Sequence, residues 1–198
     1  MRLRNHYYYF IASLPSIEYG DKPPMSSEEF REICYDMLHH ADAAFLPYCY
    51  YDPKLAVETE DSGSAFIDLL MLRERVLALN LAFVRAAKLK RPSPQDPPHD
   101  VPRAEARGKT AFEMDNPLEA TIYIDEGRWT ALDDMMGLDN IFGINEPFNV
   151  NNIYVYLLKL QLLERRQSFD AVKGAAEYRQ LYDTILNEYN SKLKRVDK

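Results

Sequence analysis

The stretch VNNIYVYLLKLQLLERRQSF, residues 150–169, decides the fold class. Ile153, Tyr156, Leu157, Leu160 and Leu163 recur at helical spacing on one face, and Tyr154, Leu158 and Leu162 make a second. A helix that is apolar on two sides needs neighbours on both, so this segment is expected at the centre of a bundle. Ser64 to Lys90 repeats the pattern over roughly 40 Å of helix at about 1.5 Å per residue. Phe66, Leu70, Leu77, Leu81 and Val84 form one stripe there, and Leu69, Leu72, Val76, Leu79 and Phe83 the other. Two such spines predict a mainly α-helical bundle with long helices.

Around the spines the chain reads as shorter helices with recognisable starts. Ser26 with Glu29 three residues on is a capping box, and Phe30, Ile33, Cys34, Met37 and Leu38 follow on one helical face. Pro47 breaks an aromatic stretch over 41–51 into a short helix or turn, with a second helical piece near Pro53–Val57. Asn116 before Pro117 predicts a helix running to about Asp125, with a separate turn-rich helix over Trp129–Met136 and punctuation at Gly137 and Gly143. Asp170 suits the N-cap of a last helix that carries Tyr178, Leu181, Tyr182, Ile185, Tyr189 and Leu193 on one face and ends on a basic cluster.

Two segments read as non-helical. Residues 7–13, rich in Tyr, Phe and Ile, are expected as a short N-terminal extended segment, because such side chains suit a pleated, half-buried surface. The run RPSPQDPPHDVPR, residues 91–103, holds five prolines and is expected as a loop, either a linker or a strip in polyproline conformation. The organisation is thus 1–90, the N-terminal extended segment and helices; 91–115, a Pro-rich loop or linker; and 116–198, a C-terminal helical part, the whole making one compact domain.

Composition limits the function. The 198 residues bury roughly 70% of the unfolded surface, and 46% hydrophobic with 28% charged residues is ordinary globular usage. A net charge of −7 lacks the basic face of a nucleic-acid binder. Cys34 and Cys49 fit neither a disulfide framework nor a zinc site, which points to a reducing cytoplasm. The apolar run from Tyr7 to Leu14 is too short and too tyrosine-rich for a signal peptide, and no segment has the length of a membrane span.

The chemistry-bearing residues do not assemble into a motif. Asp36 and His39 have i, i+3 spacing once, where a di-metal bundle needs it twice. His99 stands among Asp96 and Asp100 in the Pro-rich run, and Cys34 lies on an apolar helix face. No nucleophile-elbow, H-E-x-x-H, P-loop or dinucleotide fingerprint occurs. The expectation is a non-catalytic protein with no cofactor and no metal.

The candidate partner contacts are Arg128, Trp129, Asn152, Lys159, Arg165 and Arg166. Asn152, Lys159 and Arg166 form a polar stripe at seven-residue spacing, which is also how a solvent-facing side reads. Arg128 and Trp129 are the residue types of binding hot spots, although a single tryptophan also serves as core. Asn80 interrupts an apolar stripe and is expected as a satisfied buried amide.

Read together, YYYFIASLP (7–15), PMSSEEFREIC (24–34), MLRERVLALNLAFVRAAKLKR (71–91), NPLEATIYIDEGRWTALDD (116–134) and NNIYVYLLKLQLLERRQSFDAVKGAAEY (151–178) resemble a bacterial protein family encoded among the subunits of V-type ATPases. More distantly, residues 158–165 and 73–81 are similar to segments of the helical C-type subunit of V/A-type ATP synthases, the socket between rotor ring and central shaft. That resemblance implies an accessory or central-stalk-like component of a rotary ATPase. Its partners would be the rotor ring or the central shaft, and its place the cytoplasm, peripheral to the inner face of the membrane and without insertion. The chain is shorter than a full C-type socket protein and has no visible internal repeat, so a reduced equivalent, a regulator or an assembly factor is the alternative. A free-standing helical adaptor and a small enzyme are the competing readings, the last requiring a pocket where Asp36, His39 or other titratable groups converge.

Overall fold

The computed structural model describes residues 7–59, 61–92, 102–138, 148–169, 174 and 178–186. Among them the elements are α1 (Tyr8–Ser13), α2 (Ser27–Met37), α3 (His40–Ala43), a 3₁₀ turn (Leu46–Tyr48), α4 (Pro53–Glu58), α5 (Ala65–Lys88), α6 (Pro102–Glu113), α7 (Pro117–Leu138) and α8 (Val150–Ser168). The fold is mainly α-helical, with no strand among the described residues. A further helical segment covers 178–186. The chain divides into two compact units, Met1–Glu164 and Arg165–Lys198, a boundary that falls inside α8.

Within the first unit α8 is the central helix, as its two apolar faces require. Ile153, Leu157, Leu158, Leu160, Leu162 and Leu163 are fully buried, each contributing about 1.5–3 kcal/mol by leaving water. Asn149 starts the helix, its side chain accepting from the Asn151 N–H at 3.0 Å. Phe30 of α2 lies against Tyr156, with centroids 4.9 Å apart, and Phe66 of α5 against Tyr154 at 6.1 Å. The Tyr154 hydroxyl donates to the Asp42 carbonyl of α3 at 2.7 Å. Glu164 reaches the start of α2, accepting from the Ser27 N–H at 2.7 Å and its hydroxyl at 2.5 Å, a carboxylate on a helix N-terminus.

The starts read from the sequence are present. Ser26 accepts from the Glu29 N–H at 3.1 Å, Asn116 from the Leu118 N–H at 3.0 Å, and Ser64 precedes α5. The face of α2 is rotated from the expected one: Phe30, Cys34 and Leu38 are buried, but Ile33 and Met37 are exposed and Arg31 is inside. Arg31 goes inward because its guanidinium finds acceptors there, the Leu46 carbonyl at 2.7 Å and the Cys49 carbonyl at 3.4 Å, beneath the ring of Tyr50 at 3.9 Å.

Three expectations are corrected. Residues 8–13 are helix, not an extended segment. Tyr7, Phe10, Ile11 and Leu14, at helical spacing, all pack on the core, while the Tyr7 N–H donates to the Phe148 carbonyl at 3.1 Å and its hydroxyl to Asp42 at 2.5 Å. Burial of that face outweighs the strand preference of its side chains. Second, α6 occupies 102–113, so the Pro-rich loop ends by Pro102, which stands at the first turn, where its missing N–H costs nothing. Residues 93–101, with His99, lie outside the described residues. Third, the two helices expected over 117–136 are one. Gly127 lies inside α7, and the space its missing side chain leaves is taken by a neighbouring side chain. Arg107 of α6 lies so close that a Cβ on Gly127 would stand 2.2 Å from its Cδ.

The second unit is described at 165–169, 174 and 178–186. Tyr178, Leu181, Tyr182 and Ile185 of its helical segment share one face, as expected, and all four are exposed. Asp170, Tyr189, Leu193 and the basic terminus lie outside the described residues, as does Gly143.

Candidate functional site

The first unit holds a cavity of about 260 Å³ among α5, α6 and α7, with Tyr51 at its edge. The helices that frame it meet closely: a Cβ on Gly108 of α6 would lie 3.2 Å from Asn80 Cβ of α5. Leu70, Leu77, Ile124, Ala131, Leu132 and Met135 give an apolar lining. The charged side chains around it are Arg73, Glu74, Arg107, Arg128 and Asp134.

Arg128 is the fixed point of that wall. Its Nε and Nη2 donate to the two oxygens of Glu74 at 3.0 and 2.6 Å, and its Nη1 to Asp125 at 2.9 Å. All three side chains are nearly enclosed, at 11%, 6% and 2% exposure. Burial works against the Arg128 charge, but Glu74 and Asp125 outweigh it and hold its pKa above the ordinary value. Its guanidinium also lies over the ring of Tyr51, 4.8 Å from the centroid.

The Tyr51 hydroxyl is buried and has no hydrogen-bond partner among the described residues. Burial first, and then the Glu74 carboxylate, push the phenol well above its usual pKa, so it remains a donor. Arg107 differs from Arg128 in having no carboxylate partner among the described residues. It donates to the Tyr123 carbonyl at 2.7 Å and lies over the Tyr123 ring at 4.6 Å. Arg73 and Asp134 each have interactions of their own.

The residues named from sequence scatter. Trp129 and Lys159 come together, the ammonium 4.5 Å from the indole centroid and paired with Asp133 at 2.6 Å, while the Tyr19 ring packs on Trp129 with centroids 5.4 Å apart. Trp129 packs against the core, and Lys159 is drawn in by these partners rather than facing solvent. Arg128 is turned into the ionic cluster with Glu74 and Asp125 and is nearly enclosed. Asn152 bonds back to Asn149 at the start of α8. Arg165 is exposed and Arg166 half-buried, each with an interaction of its own. Asn80 is only half satisfied: its Nδ2 donates to the Val76 carbonyl at 2.9 Å, and its Oδ1 has no partner among the described residues.

Tyr51, Glu74, Asp125, Arg107 and Gly127 escaped the sequence reading. One signal was available: Glu74 falls between Leu70 and Leu77 at helical spacing, a charge on an apolar stripe. Asp36 and His39 do not line the cavity. Among the described residues no group of three or more His, Cys, Asp or Glu side chains is placed to hold a metal ion, and no helix is long and apolar enough to cross a membrane. Both cysteines are buried and unpaired, and burial pushes both thiols up to about 12. Compared with protein-family models, curated proteins and solved structures, the chain has no match in any of the three.

Proposed function

We propose that this chain works by docking to other proteins, as a non-catalytic accessory or central-stalk-like component of a V-type rotary ATPase. The observation that carries the docking half is the helical segment 178–186, on which Tyr178, Leu181, Tyr182 and Ile185 stand 53–68% exposed on one face. Large apolar side chains aligned at helical spacing match the anchors of a helix seated in a partner's groove. The choice of partner rests on the resemblance of residues 7–15, 24–34, 71–91, 116–134 and 151–178 to proteins encoded with V-type ATPase subunits. Arg165 and Arg166, upstream of the apolar face in sequence, are candidate contacts for the rim of such an interface.

The test is a native pull-down of the tagged chain from its own cells in mild detergent, beside the doubly substituted Leu181→Glu, Ile185→Glu form. Recovery of rotary-ATPase subunits with the unsubstituted chain, lost in the double variant, is the expected result. Another partner with the same dependence would leave a helical adaptor. An intact ATPase that never carries this chain would overturn the assignment.

A further inference from the structure

The cavity among α5, α6 and α7 has a feature that docking through 178–186 does not use. Three arginines line it, and their charges are not equivalent. Arg128 is neutralised twice over by Glu74 and Asp125, and Arg73 already has an interaction of its own. Among the described residues Arg107 is held by a neutral carbonyl and an aromatic face. It is therefore the cation on this wall whose charge is still to be met among the described residues.

Its position is built, not incidental. The Arg107 side chain crosses α7 at Gly127, where any Cβ would stand 2.2 Å from its Cδ and 2.3 Å from its Nε. Glycine inside a helix costs roughly 0.5–1 kcal/mol relative to alanine, and here it opens the one groove along which the guanidinium lies at the cavity. The side chains of Leu70, Leu77, Leu132 and Met135 line the same cavity. Apolar walls with a few fixed polar groups are the composition of small-ligand sites.

We infer that this cavity binds a small organic monoanion, a carboxylate on a compact apolar body, with Arg107 meeting the carboxylate and the leucine and methionine walls enclosing the rest. The size follows from the volume of about 260 Å³, just below the ~300–1,000 Å³ of most ligand pockets. The single charge follows from the wall: a dianion would face the carboxylates of Glu74 and Asp134 with one uncompensated cation to hold it. A guanidinium favours a carboxylate because its paired N–H groups match the two oxygens.

Phenylacetate and hexanoate, each titrated into the full chain by calorimetry beside phenylacetamide and hexanamide, test this. One saturable site is expected for an acid, with its amide about tenfold weaker or more. Arg107→Met should remove the preference for acid over amide. Gly127→Ala, which keeps the arginine but displaces it, should weaken the acid more than the amide. Ala131→Leu, filling the cavity from the α7 side, should abolish binding of both while the thermal melt stays cooperative, which covers the case in which Arg107→Met does not fold. Equal affinity for acid and amide, binding untouched by Ala131→Leu, or no saturable binding of either acid into the millimolar range would each overturn the inference.

Discussion

Two helices of this chain carry the same kind of apolar pattern and have opposite surroundings. In α8 the faces of Ile153, Leu157 and Leu160 and of Tyr154, Leu158 and Leu162 are both closed by the rest of the first unit. In the segment 178–186 of the second unit, Tyr178, Leu181, Tyr182 and Ile185 are exposed. Helical spacing determines which side chains share a face. Whether the face stabilises the monomer depends on what covers it, and a covered face adds to folding free energy while an exposed one is available to a partner.

The contrast can be broken most forcefully in the first unit. Arg128→Met leaves the nearly enclosed carboxylates of Glu74 and Asp125 without that cation, and a loss of about 3–5 kcal/mol is expected in urea unfolding. A loss below about 1 kcal/mol would mean that water already reaches the cluster. Leu157→Ala, at a fully buried position of α8, should cost about 2–5 kcal/mol in the same measurement.

Alkaline titration sharpens the comparison through the buried acids. Burial pushes the thiols of Cys34 and Cys49 from 9.0 up to about 12, and burial with the Asp42 hydrogen bond raises the Tyr7 phenol from 10.0 to about 12. The folded chain therefore keeps protons that the unfolded chain sheds, so this contribution is whole below about pH 9 and declines as pH climbs toward about 12. The urea midpoint should fall across that window, and less so in a Cys34→Ser, Cys49→Ala chain. The smallest effect is expected at Leu181→Ala, within about 0.5 kcal/mol of the unsubstituted chain. A cost like that of Leu157→Ala would show that the 178–186 face is covered in the free chain.

The site was far less legible than the spines. Glu74 and Arg128 are 54 residues apart and meet on different helices, and no local pattern announces a pair at that separation. Arg31 and Ile33 show the same limit at short range: both fit the edge of the α2 face, and the acceptors at Leu46 and Cys49 decide which turns inward. The role of Gly127 was illegible because the side chain that occupies the space beside it, Arg107, comes from another helix.

The sequence by itself determined the helical class, the positions of α5 and α8, the caps at Ser26 and Asn116, and the sharing of one face by Tyr178, Leu181, Tyr182 and Ile185. Those features rest on periodicity and on bonds between residues a few positions apart, which a sequence states directly. Only the tertiary structure decided that residues 8–13 are helical, that Arg128 is an internal ion-pair anchor and that Arg107 lies at a cavity with no carboxylate partner among the described residues. Each of these depends on burial and on partners brought together from distant segments, and these exist only once the chain has packed.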